Sequence, residues 1–221
     1  MATPGEELPA APMAARVPTG IQIAPEPHTV SARALTVASR LLAGATTFFF
    51  LAFLFAYFYL RSLDQDHMWR AAHVDPDQGL GVAFIACIVL SAALTVVAGR
   101  RLKAQSRDWI LPASAGVVLA LVAIALQCVE YTVQNFGPTN GGFASVFCGW
   151  TALYLIAVLF TTYWLETQVA TELRARRAPA IGHADIEEPD RLIAPALDAA
   201  AFYWSFLAAI GVITYATLYL L

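Results

Sequence analysis

The segment Leu41–Leu60 reads LLAGATTFFFLAFLFAYFYL and contains no Asp, Glu, Lys or Arg. A hydrocarbon core about 30 Å thick requires roughly 20 apolar residues at helical rise, and a helix satisfies its own backbone hydrogen bonds there. Four further segments share this length and this freedom from charge: Gly79–Gly99, Trp109–Val129, Gly142–Trp164 and Ala199–Leu221. The sequence therefore predicts an all-α protein, a polytopic transmembrane bundle with five helical spans.

The composition leaves little of the chain for a soluble domain. Of the 221 residues, 59% are hydrophobic and 13% are charged, as expected when about half of a chain lies in lipid. We expect one membrane domain over residues 37–221, preceded by a cytoplasmic tail over residues 1–36. Because Met1–Val30 is rich in proline and poor in large apolar residues, burial cannot offset its ordering entropy, and the tail is predicted to be disordered.

The basic residues are distributed unevenly between the two sides of the predicted spans. Eleven of the 13 precede the first span or follow the second and fourth spans, and only Arg61 and Arg70 fall on the opposite side. Cytoplasmic loops retain Lys and Arg during membrane insertion. The sequence therefore predicts a cytoplasmic N-terminus and an external C-terminus.

Two carboxylates lie at the ends of predicted spans. Glu130 shares a helix face with Gln127, three residues earlier, at the outer end of span three. An ionisable group within a membrane suggests a functional contact by default. A solvated or hydrogen-bonded structural role is the more common outcome, and both hypotheses for Glu130 stay open. Asp198 lies at the start of span five, where we expect a helix-capping role.

No catalytic set or metal-ligand cluster can be assembled from the remaining polar residues. The cysteines Cys87, Cys128 and Cys148 are isolated and are expected to be small buried hydrophobes. The four histidines lie outside the spans, so no intramembrane haem is expected in this chain. We expect the span threonines to bond their own helix backbone: Thr46, Thr47, Thr161 and Thr162.

Three segments resemble one family. Leu126–Tyr131 reads LQCVEY and resembles the L-Q-x-x-E-Y signature that closes one helix in subunit III of haem–copper cytochrome c oxidases. Its alignment on Gln127, Glu130 and Tyr131 continues without a gap into the family's next helix, through Gly141, Ser145, Phe147 and Thr151. Asp198–Phe206, DAAAFYWSF, resembles the family's E-A-A-A-W-Y-W-H-F, and Phe55–Phe58 resembles the end of its F-W-A-Y-F.

The chain also departs from the family pattern. Thr46 stands where the family usually has a buried Glu, Tyr154 and Ala157 replace two histidines, and Ser205 and Ala208 replace a histidine and an aspartate. The resemblance therefore implies a divergent member of the five-helix bacterial form. It marks eight residues as candidate contacts with lipid or partner subunits: Thr46, Gln127, Glu130, Tyr131, Ser145, Thr151, Tyr203 and Trp204.

The resemblance implies a non-redox structural subunit of a bacterial cytochrome c oxidase in the cell inner membrane. Such a subunit would stabilise the catalytic subunit and its proton supply, while haem and copper would lie in partner subunits and this chain would hold no cofactor. Its partners would be oxidase subunits I and II and membrane phospholipids, with no nucleic acid. The alternatives are a homologous accessory subunit of a quinol oxidase or nitric oxide reductase or, from another class, a small membrane transporter or scaffold.

Overall fold

A computed structural model of the chain describes residues 28–64, 69–71, 74–177 and 190–221. All regular secondary structure in these residues is helical, which confirms the predicted all-α fold. Five helices are long and apolar enough to cross a membrane: α1 (His28–Ser62), α2 (Gln78–Lys103), α3 (Ile110–Val133), α4 (Gly142–Arg177) and α5 (Asp190–Tyr215). A 3-10 turn, Arg107–Trp109, precedes α3, and a π-helical turn, Ala216–Leu220, follows α5.

Helices α2, α3, α4 and α5 form a ring in which each packs against the next and α5 returns to α2. Helix α1 lies outside this ring, against α4 and α5. The final span is accordingly the most buried of the five and the first span the least. The outer side of α1 exposes large apolar side chains, including Phe48 and Phe55, as expected of a multi-pass membrane protein whose surface meets lipid.

The two ends of the bundle differ in their chemistry. At one end, Lys103 Nζ lies 2.7 Å from Asp198 Oδ2, and the Arg176 guanidinium donates to the carbonyl of Arg107 at 2.9 Å. At the other end, Trp69 is buried between the rings of Tyr57 and Phe143. The distribution of basic residues predicts that the first end faces the cytoplasm.

The N-terminal boundary differs from the prediction. Helix α1 begins at His28, so residues 28–36, which we predicted as tail, are helical. The last proline of the tail is Pro27, and the residues after it include alanine, valine and leucine without another helix breaker, so the helix starts once proline ends. Residues 1–27, for which we predicted disorder, lie outside the described residues.

The start of the final helix was also predicted wrongly. Helix α5 begins at Asp190 and contains Pro195, whereas we expected the span to start at Ala199. Proline removes one backbone hydrogen bond near a helix start, and the burial of Ala196 and Leu197 beside it stabilises this turn. Asp198 is therefore inside the helix, where it pairs with Lys103 and caps no helix end.

Candidate functional site

A buried carboxylate forms the centre of a polar cluster at the end of the ring that contains the end of α3 and the start of α2. Glu130 is 1% exposed and Gln127 is 2% exposed, so the face that they share on α3 points into the bundle. Gln127 Nε2 donates to Glu130 Oε2 at 2.8 Å, and Tyr219 Oη donates to Glu130 Oε1 at 2.6 Å. Both carboxylate oxygens accept a hydrogen bond from a side chain. Glu130 is therefore a buried, hydrogen-bonded residue of the bundle, and the hypothesis of a solvated carboxylate is excluded.

Tyr219 belongs to the π-helical turn, and no pattern in the sequence pairs it with Glu130. An aromatic residue near the end of an apolar span ordinarily suggests the membrane interface. The start of α2 holds the backbone of this turn, because Gln78 Nε2 donates to the Tyr219 carbonyl at 2.5 Å. Tyr215 in turn donates to Gln78 Oε1 at 3.1 Å. Single π turns within helices are frequent at functional sites.

A second pair of motif residues joins α3 to α4. Tyr131 Oη donates to Thr151 Oγ1 at 2.8 Å, and Thr151 donates to the carbonyl of Phe147 at 2.6 Å. Ser145 donates to the Gly141 carbonyl at 3.1 Å and also contacts the Pro138 carbonyl. Ser145 thereby ties the first turn of α4 to the loop before it.

The matched residues of α5 bond to α1 and α2. Thr46 Oγ1 and Tyr203 Oη lie 2.9 Å apart. The expectation that Thr46 bonds its own helix is therefore wrong, because α5 offers a phenol hydroxyl at that position. Trp204 Nε1 donates to Ser91 Oγ at 2.9 Å, and Ser91 donates to the Gly116 carbonyl on α3 at 2.7 Å. Ser91 thus connects three helices.

The other span threonines follow the prediction. Thr47, Thr161 and Thr162 each donate to the carbonyl four residues earlier on the same helix. Such bonds satisfy the hydroxyl locally and require no neighbouring helix. Their formation could therefore be predicted without the tertiary structure.

Tyr154, which stands where the family has a histidine, lies in the centre of the bundle. It is fully buried and donates to the Leu207 carbonyl of α5 at 2.8 Å. Gly211 lies directly opposite, since a Cβ at that position would overlap the Tyr154 hydroxyl and the Ile85 side chain. The close approach of α5 to α2 and α4 therefore depends on Gly211.

Within the described residues, no group of three or more His, Cys, Asp or Glu side chains could hold a metal ion. Cys87 and Cys148 are half-buried, but Cys128 is exposed, so the expectation of burial is wrong for that residue. A small apolar side chain is tolerated on a lipid-facing surface as well as in a core. That the chain holds no haem and no copper stays a prediction.

Comparison of the chain with protein-family models and with curated proteins finds no match. The family resemblance therefore depends on the motif residues alone. All eight make a hydrogen bond within this chain. Several of these bonds join two helical elements of this chain. Contact of the eight residues with lipid or partner subunits stays a prediction.

Proposed function

We propose that this chain is a non-redox structural subunit of a bacterial cytochrome c oxidase, related to subunit III. The observation that carries the proposal is the pairing of motif residues in space: Gln127 with Glu130, and Tyr131 with Thr151. If the residues of one sequence signature share a structural role, we expect them to form hydrogen bonds with one another. In this proposal the chain stabilises the catalytic subunit and its proton supply, and the haems and copper belong to partner subunits.

A scaffold role fits the distribution of polar groups better than direct proton transfer. Thr46, in place of the family's buried Glu, bonds Tyr203, and both oxygens of Glu130 bond side chains of the same bundle. Hydrogen bonds between membrane helices fix their relative positions. We propose that these bonds keep the bundle rigid while its apolar outer faces contact phospholipids and oxidase subunits I and II in the cell inner membrane.

The proposal is tested by purifying the tagged chain from its native membrane in mild detergent and recording a visible spectrum. We expect haem to co-purify, together with two larger subunits in stoichiometric amounts. The Glu130→Ala variant should retain less haem per tagged chain, because Gln127 and Tyr219 lose their shared acceptor. Glu130→Gln preserves a hydrogen-bonding group and is the matched control. Tagged protein without chromophore would overturn the proposal and favour a transporter or scaffold.

The same preparation distinguishes the related accessory subunits. A complex with cytochrome c oxidase activity supports the proposal as stated. A complex that oxidises quinol or reduces nitric oxide would instead place this chain with the accessory subunits of those enzymes. Enzyme activity of the purified complex therefore decides between the members of the wider family.

A further inference from the structure

A small cavity of about 10 Å³ lies inside the ring, beside the Glu130 cluster. It is bounded by residues from all four ring helices. Its polar lining consists of Gln127, Thr151, Tyr154, Thr214 and the tyrosines of the last turns, and the remaining walls are apolar or glycine. A cavity needs roughly 10–15 Å³ to hold a water molecule, so this one has room for a single water at most.

Thr214 differs from the other buried threonines that the structure describes. Thr95, Thr151, Thr161, Thr162 and Thr217 each donate to the carbonyl four residues earlier. Thr214 is 5% exposed and lines the cavity, yet its Oγ1 has no hydrogen-bond partner among the described residues. A buried hydroxyl without a partner is destabilising by about 1–3 kcal/mol, which points to a ligand in the cavity.

Two further side chains at the cavity have unused acceptor capacity. Gln127 donates through its amide nitrogen to Glu130, which leaves its carbonyl oxygen able to accept. Tyr154 donates its hydroxyl proton to the Leu207 carbonyl, which leaves the oxygen lone pairs able to accept. The cavity therefore combines one available hydroxyl donor with two available acceptors.

We propose that this cavity binds one water molecule. The water accepts a hydrogen bond from Thr214 Oγ1 and donates to Gln127 Oε1 and Tyr154 Oη. It makes three hydrogen bonds, which is the usual number for a buried water. The bound water links α3, α4 and α5 and connects the Glu130 cluster to the centre of the bundle, whatever complex the chain belongs to.

The test is a structure of the purified protein, with any partners it retains, at a resolution that shows ordered water. We expect one water peak within hydrogen-bonding distance of Thr214 Oγ1 in the unchanged protein and in Thr214→Ser. The peak should be lost in Thr214→Val, which keeps the shape of threonine without the hydroxyl. Thr217→Val is the matched control, because Thr217 bonds its own helix, and it should retain the water.

Radiolytic labelling gives a second readout, since hydroxyl radicals formed from a bound water modify adjacent side chains. We expect labelling of Tyr154 to fall several-fold in Thr214→Val and to stay unchanged in Thr217→Val. An empty cavity in the unchanged protein would overturn the proposal. So would rotation of the Thr214 hydroxyl onto the carbonyl of Ile210. Both outcomes can be read from the unchanged protein, so a variant that fails to fold does not prevent the test.

Discussion

Tyr219 donates a 2.6 Å hydrogen bond to Glu130 and so joins the π-helical turn after α5 to the C-terminal end of α3. Both side chains are buried, and Gln127 Nε2 donates a hydrogen bond to the second carboxylate oxygen of Glu130. A carboxylate in the membrane interior is destabilising unless its oxygens are bonded. The bond to Glu130 therefore stabilises the position of the π-helical turn, and the same bond stabilises Glu130 in its buried position.

Removal of the Tyr219 hydroxyl should lower the stability of the folded bundle. Tyr219→Phe leaves one oxygen of Glu130 buried without a partner, and we expect a loss of about 1–3 kcal/mol in unfolding free energy. Unfolding of the purified protein in detergent measures it. Tyr215→Phe removes a hydroxyl that bonds the exposed Gln78 and should change stability by less. Equal losses in the two variants would contradict a special role for the Glu130 contact.

The close approach at Gly211 makes a second prediction. Gly211→Ala places a methyl group against the Tyr154 hydroxyl and Ile85, and overpacking of this kind typically destabilises by about 1–3 kcal/mol. Gly44→Ala is the matched control, because a Cβ there meets no atom within 4 Å. Since alanine favours helix over glycine, that variant should be neutral or slightly stabilising. Thermal unfolding of both variants in the same detergent distinguishes them.

Ser91 makes a third prediction because it both accepts from Trp204 and donates to Gly116. Ser91→Ala leaves the buried Trp204 Nε1 without its acceptor, and we expect destabilisation of about 1–3 kcal/mol. The change in denaturation midpoint is the measurement. Ser205→Ala is the control, since Ser205 bonds only the Ala201 carbonyl of its own helix in the described contacts. A Ser91 variant as stable as this control would show that the three-helix contact contributes little.

Membrane orientation makes a fourth prediction from the basic residues. A reporter active only outside the cytoplasm should function when fused after Leu221 and should fail when fused within Gln168–Asp190. The reason is the concentration of Lys and Arg on one side of the five spans. Reporter activity in intact cells is the readout. The reverse pattern of activity would reverse the proposed orientation.

The fifth prediction separates a structural subunit from a catalytic one and rests on the proposed function. An oxidase that lacks this chain should keep its haem spectrum and an appreciable initial rate, but should lose activity progressively during turnover. The physical reason is that the chain supplies packing and hydrogen-bonded rigidity, while the redox centres belong to other subunits. Oxygen consumption followed over time measures the effect. Immediate and complete loss of activity with intact metal centres would show that the chain takes part in the chemistry.

Some features of the candidate site could be predicted because they are local along one helix. The spacing of Gln127 and Glu130 placed them on one face of α3, and the structure turns that face into the bundle. The backbone bonds of Thr47, Thr161 and Thr162 likewise need only their own helix. The start of α5 was missed because the charge-free segment begins only at Ala199, whereas the packing of Ala196 and Leu197 stabilises a helix that begins at Asp190 and includes Pro195.

Five long helices could be predicted from the amino-acid sequence alone, because a hydrocarbon core imposes both their length and their freedom from charge. The contacts between side chains of different helices follow from the packing of the bundle: Tyr219 with Glu130, Tyr203 with Thr46, and Trp204 with Ser91. All three pairs are more than 80 residues apart in sequence. They depend on the order of helices around the ring and on the rotation of each helix about its axis. Helical periodicity defines which residues share a face, but contacts between whole helices determine what that face meets.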